Sequence, residues 1–152
     1  MKSVTPFLWF SERGGEAIEF YASVFKNSKI LNSGNGPDGS FFMGTIEIEG
    51  QKIHMMGTPS EFKFNESFSL FVSVETQEEV DYYWNKLTAD GGAESMCGWL
   101  KDKFGISWQI IPEALMKFMS SPDREKANRA MQAMLKMRKI DIAKLESAFN
   151  GK

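Results

Sequence analysis

The sequence predicts an α+β fold: paired βαβββ modules forming a curved mixed sheet with outer helices, plus C-terminal helices. Three observations carry that expectation. Apolar runs with a period of two are broken twice by segments whose apolar residues recur at three and four. The order strand, helix, strands therefore appears twice along the chain. Glu47-x-x-Gly50-x-x-x-His54 also repeats the spacing of Asp102-x-x-Gly105-x-x-x-Gln109, as Phe20-Tyr21-x-x-Val24 repeats that of Tyr83-Trp84-x-x-Leu87.

Residues 4–10 are apolar and aromatic, which suits a buried strand. Over residues 15–26, Ala17, Ile18, Tyr21, Val24 and Phe25 form a helical stripe, with Glu16, Glu19 and Lys26 on the wet side. Strands are expected at 29–33, 40–49 and 51–57, with 34–39 as a loop and Gly50 as a turn. After a polar linker at 58–66, Leu70, Val72 and Val74 alternate with Ser69, Phe71 and Ser73, a strand pattern. Thr76-Gln-Glu-Glu79 is a capping box opening a helix with Val80, Tyr83, Trp84 and Leu87 on one stripe, which Gly91-Gly92 ends. Residues 93–100 and 106–111 read as strands around a turn at 101–105. The chain is thus expected to be a single domain over 1–152: module one at 1–58, module two at 66–112 and a helical tail at 113–152.

One four-stranded sheet with one helix covers a single face and leaves the other wet. Two such units solve this by setting their sheets side by side into a curved wall, helices outside and a cleft inside.

Composition excludes several functions. At 152 residues, 42% of them hydrophobic and 25% charged, the chain can bury a core. The net charge of −2 is spread along the sequence, unlike the clustered basic footprint of a nucleic-acid binder. Cys97, the sole cysteine, rules out an internal disulfide and Cys-rich zinc motifs. With no signal-length apolar segment at the start, a cytoplasmic location is expected, with no membrane partner.

Several stretches carry a family likeness: Thr5-Pro-Phe-Leu-Trp-Phe10, Glu16-Ala-Ile-Glu-Phe-Tyr21, Glu78-Glu-Val-Asp-x-x-Trp84-x-x-Leu87 and Cys97-Gly-Trp-Leu-Lys-Asp-Lys-Phe-Gly-Ile-Ser-Trp-Gln-Ile-Ile-Pro112. From about residue 4 onward the sequence resembles the vicinal-oxygen-chelate superfamily of glyoxalases, extradiol dioxygenases and antibiotic-resistance proteins. The resemblance is strongest to its PhnB-like branch, often labelled a 3-demethylubiquinone-9 3-methyltransferase domain. It implies the paired-module fold, frequent dimerisation and, in metal-dependent members, ligands from the first and last strand of each module. Here those positions are Pro6 or Thr5, His54, Ser69 and Gln109. Only the imidazole of His54 is a strong transition-metal ligand, and a catalytic site usually needs three protein ligands. No cofactor is therefore expected; a divalent metal, were one bound, would sit on His54 and Gln109.

Alternation places Met56, Ser69, Phe71, Ser107 and Gln109 on the cleft side with His54, as candidate substrate-binding residues. His54 could contact a ligand or move a proton; equally it could be a histidine satisfied by a neighbouring hydrogen bond in a Met-rich wall. Phe41, Phe42, Trp99, Phe104 and Trp108 could line a pocket for a flat apolar ligand, although alternate strand positions would bury most of them as core.

Two motifs are decoys. Gly34-Asn-Gly36-Pro-Asp-Gly39 matches G-x-G-x-x-G, but a strand pattern follows it, not the helix a phosphate or methyl-donor site needs. Cys97 has no second histidine to activate it and reads as a buried small hydrophobe.

In the tail, Ser121 as N-cap, Pro122 at the first position and Asp123 in the first turn open a helix striped by Ala127, Ala130, Met131, Met134 and Met137. Ile142, Leu145 and Phe149 mark another. Such stripes usually pack on their own domain or a partner subunit. The expected function is small-ligand binding in the sheet cleft of a homodimer, with the reaction unspecified. The alternatives are a metal-dependent lyase, isomerase or dioxygenase of the glyoxalase kind, and an interaction module acting through the C-terminal helices.

Overall fold

A computed structural model describes residues 2–152. They divide into two compact units, with the boundary between Lys63 and Phe64.

The first unit runs β1 (Phe7–Phe10), α1 (Gly14–Val24), β2 (Ser28–Asn35), β3 (Phe41–Ile48) and β4 (Gln51–Gly57). Its sheet has the order β1-β4-β3-β2, with β1 parallel to β4 and the other pairs antiparallel. The helix stripe explains the packing. Ala17, Ile18, Tyr21 and Val24 are all buried, as are Leu8, Phe10, Ile46, Ile53 and Met55 of the sheet. Each of the larger aliphatic and phenyl side chains among them contributes about 1.5–3 kcal/mol on leaving water. The β3–β4 turn is tight because Glu49 and Gly50 both take left-handed backbone, with φ of 47° and 84°.

The second unit repeats the plan: β5 (Ser69–Val74), α2 (Gln77–Thr88), β6 (Ala93–Glu94), β7 (Trp99–Lys101) and β8 (Ser107–Pro112), in sheet order β5-β8-β7-β6. Again the first and last strands pair in parallel. The capping box is formed: Thr76 accepts from the Glu79 N–H, and the Glu79 carboxylate accepts from the Thr76 N–H. Val80, Trp84 and Leu87 of α2 are buried, with Leu100, Trp108 and Ile110 as the matching buried strand residues.

The strand expected over 93–100 is in fact two short strands. Between them Cys97 and Gly98 turn through left-handed backbone, with φ of 60° and 82°. Their N–H groups donate out of the sheet, to Met137 and Arg138 carbonyls at 2.8 Å each. The tail forms α3 (Glu113–Met119), α4 (Arg124–Met134) and α5 (Ile142–Phe149). Asp123, not Ser121, caps α4, because its carboxylate reaches the Lys126 N–H at 3.1 Å. The tail stripe packs on its own unit. Ile111, Leu115, Ile140 and Leu145 form a buried cluster, with Met134 and Met137 against it.

Gln77 ties the tail to α2. Its amide donates to the Ile140 carbonyl at 3.0 Å and accepts from the Ile142 N–H at 2.9 Å. Beside it, Lys139 and then Gln77 hold the Asp81 carboxyl below its ordinary range. That depressed value means the contact persists at neutral pH and is lost only as pH falls through the folded-state value. Gln77→Ala is expected to destabilise unit two by about 1–3 kcal/mol and to raise hydrogen exchange at the Ile142 amide. Unchanged protection there would refute the tether.

Candidate functional site

Each sheet has one face covered by its helix and one face free of it, and strand register decides which residues occupy the free face. Paired residues on neighbouring strands point to the same side. In unit one His54 pairs with Phe7 on one side and Thr45 on the other, and Met56 pairs with Trp9 and Met43. In unit two Ser107 pairs with Ser69 and Lys101, and Gln109 with Phe71 and Trp99. The six candidates thus fall in two sets, His54 and Met56 on one sheet and Ser69, Phe71, Ser107 and Gln109 on the other. All six lie opposite the buried residues of α1 or α2.

His54 and Gln109 hold the same place in their units. Each lies on the closing strand, four residues after a positive-φ turn glycine and opposite a phenylalanine of the parallel opening strand. That register makes Phe7 the counterpart of Phe71, so the counterpart of Ser69 is Thr5, not Pro6. Pro6 instead gives its carbonyl to the His54 N–H at 2.9 Å.

The His54 Nδ1 lies 2.9 Å from Thr45 Oγ1 in a half-buried hydrogen bond, and the Phe7 ring is tilted 6.3 Å from the imidazole. One ring nitrogen is therefore engaged by a hydroxyl, which fixes the ring's orientation. Gln109 donates its amide N–H to Ser69 Oγ at 3.0 Å. Phe7 and Phe71 are about half exposed on these faces. Ser107 is 2% exposed, and its Oγ has no hydrogen-bond partner among the described residues.

Thr45 was not evident from the sequence, although the tight turn at Glu49-Gly50 dictates its pairing: counting outwards from Ile48 and Gln51 brings Thr45 to His54. Lys101, taken as part of a turn, is instead the last residue of β7 and shares a face with Ser107.

The aromatic set disperses. Trp108 is core, donating its indole N–H to Asp102 at 2.8 Å. Phe41 packs against Gly14 and Gly57, while Phe42 is exposed. Phe71 and Trp99 alone share the helix-free face with Gln109. The glycine-rich motif is a hairpin between β2 and β3, with Asp38 turned onto Ser40. It opens no helix. Cys97 is only half-buried, held in its turn by the tail.

A family model described as 3-demethylubiquinone-9 3-methyltransferase matches residues 2–111. The chain belongs to that family. A PhnB protein from Bacillus cereus is 31% identical, covering 73% of this chain and 99% of its own, with a TM-score of 0.68. The fosfomycin resistance protein FosX from Listeria monocytogenes is 16% identical, covering 79% and 98%, with a TM-score of 0.60. PA1353 from Pseudomonas aeruginosa is 14% identical, covering 74% and 98%, with a TM-score of 0.61. No curated protein matches the sequence. This PhnB-like chain is accordingly a vicinal-oxygen-chelate protein, as its sequence motifs implied.

Metal-dependent relatives raise the question of whether these residues suit a dication. Among the described residues no three His, Cys, Asp or Glu side chains converge. Around His54 the neighbours are a hydroxyl, a phenyl ring and methionines, and Gln109 is turned onto Ser69. Such neutral donors do not fit a catalytic transition metal. None of the described helices is long and apolar enough to cross a membrane.

Proposed function

We propose that this PhnB-like protein binds a small organic ligand against the helix-free faces of its two sheets, with His54 and Gln109 as polar contacts. One observation supports this above all. Two half-buried polar side chains occupy equivalent positions in the two units, each beside a half-exposed phenylalanine on a face no helix covers. Flat aromatic surface with one or two placed polar groups is the usual make-up of a small-molecule site. On this reading Met56 of unit one and Phe71 of unit two supply apolar wall, and Ser69 and Ser107 supply hydroxyls. Thr45 positions the imidazole so that Nε2 addresses the ligand.

The same reading makes the protein a homodimer, the partner covering exposed apolar side chains outside the ligand face such as Phe42 and Leu135. It also places the protein in the cytoplasm, which suits its single thiol. The test is a fragment screen by 1H–15N NMR, followed by His54→Ala and Gln109→Ala. Each substitution is expected to weaken a confirmed hit by about tenfold, the loss of one polar contact, while thermal unfolding stays near that of the parent. If neither variant alters any hit, the proposal fails. Light scattering checks the dimer, and a monomer at micromolar concentration would overturn that part.

A further inference from the structure

We propose that the helix-free face of unit two carries a carboxylate-binding pocket, with Lys101 Nζ and Ser107 Oγ taking the two oxygens and Trp99 supporting the ligand's body. The proposal rests on the ligand-binding reading above and names the ligand's class. A cavity of about 230 Å³ opens there, lined by Glu66, Glu94, Ser95, Trp99, Lys101 and Ser107 among others. It is smaller than the roughly 300–1,000 Å³ of drug-sized sites, so it takes a fragment-sized group.

The floor of the pocket identifies what is missing. A buried hydroxyl without a partner costs free energy in the free protein, and such groups are rare in folded chains. The Ser107 Oγ is one, 2% exposed and lining the cavity. Its register neighbour Ser69 accepts from Gln109 and makes no bond to it. An oxygen entering the cavity would satisfy it.

Charge selects which oxygen. Lys101, beside Ser107 in register on β7, places its ammonium 2.5 Å from the Glu66 carboxylate at the rim. This pair is exposed, and water competes for both partners, so it is cheap to exchange. Glu66 is thus a carboxylate of the chain already resting where a ligand carboxylate would go. A monoanion with two oxygens matches one ammonium and one hydroxyl. A dianion such as phosphate would meet one cation with Glu66 and Glu94 nearby, a poor electrostatic match. Glu94 itself is held aside by the Trp84 indole N–H at 2.9 Å and by Arg138 at 3.7 Å. The indole of Trp99, half-buried on the same face, offers a flat wall, which favours a ring-bearing carboxylate.

The test titrates full-length protein with benzoate, its neutral isostere benzamide and inorganic phosphate, following backbone amides and the Trp99 indole by NMR. Benzoate is expected to shift Trp99 and Ser107 and to bind about tenfold more tightly than benzamide, the worth of a charge-assisted contact. Lys101→Gln should erase that preference. Ser107→Ala should weaken benzoate without lowering the melting temperature, because the hydroxyl it removes is unpaired. Glu66→Gln should tighten benzoate by removing the competing carboxylate, an effect no structural role of Glu66 would produce.

Equal binding of benzoate and benzamide, or tighter binding of phosphate, would overturn the carboxylate assignment while leaving a ligand site in place. Benzoate preference that survives Lys101→Gln would overturn it as well. If no probe moves any resonance on either sheet face, the broader ligand-binding reading falls with it.

Discussion

Replacing Asp102 by alanine is expected to lower the unfolding free energy by about 3–5 kcal/mol, with three donors left unpaired at once. Asp102 is 2% exposed at the end of β7. One carboxylate oxygen accepts from the Phe104 N–H at 2.9 Å and the Ile106 N–H at 3.1 Å; the other accepts from the Trp108 indole at 2.8 Å. The charge is thereby dispersed into the turn that joins β7 to β8, and the same contacts anchor Trp108 in the core. Asp102→Asn keeps an acceptor for the two amides but turns an NH2 towards the indole N–H, so roughly half the loss is expected. Thermal unfolding followed by circular dichroism checks both; a chain of this size loses about 2–4 °C per kcal/mol. An alanine variant within 1 kcal/mol of the parent would show that the network contributes little. Because the turn fixes Lys101 and Ser107, ligand binding should fall in the alanine variant too.

That network was only half legible in the sequence. The spacing of Asp102, Gly105 and Gln109 against Glu47, Gly50 and His54 announced two equivalent turns, and both glycines do take positive φ. Nothing in that spacing said that Asp102 would be buried while Glu47 pairs with Lys29 at the surface. Periodicity read the helix-facing rows well: Leu70, Val72 and Val74 point to the α2 side as alternation required, and the α2 stripe is the buried one. Register was harder, because it depends on where each turn begins. The sequence expected His54, Met56, Ser69, Phe71, Ser107 and Gln109 on a common cleft side; the strand pairs set His54 and Met56 on one sheet's helix-free face and the other four on the second sheet's. It could not show that Thr45 meets His54, or that Ser107 lacks a partner, since both are facts about neighbouring strands. The broken strand at 95–98 was hidden for a similar reason. Its turn is set by the tail, forty residues away in sequence, and no local pattern records that.

The tail contact gives the second large effect. Gly98→Ala is expected to cost about 2–4 kcal/mol, combining left-handed backbone with overpacking. At φ of 82° a side chain is strained whatever the space, and here the space is taken as well. An added Cβ would lie 2.8 Å from Ile111 Cδ1, 2.9 Å from the Ile110 carbonyl and 3.1 Å from Ile140 Cγ1. The carbonyl belongs to the sheet ladder and cannot step aside cheaply. The ring of contacts also says what gives way. Ile140 belongs to the tail segment that Cys97 and Gly98 hold by their N–H groups, so pushing on it loosens the tail from the second unit. Hydrogen exchange should therefore rise at Cys97, Gly98 and Ile142 before it rises at Leu100. Gly105→Ala is the control, since its φ of 91° imposes the same backbone strain with nothing within 4 Å of an added Cβ. If the two substitutions cost the same, backbone strain alone is responsible; a larger loss at Gly98, with the tail amides exchanging first, assigns the difference to the tail's packing on the turn.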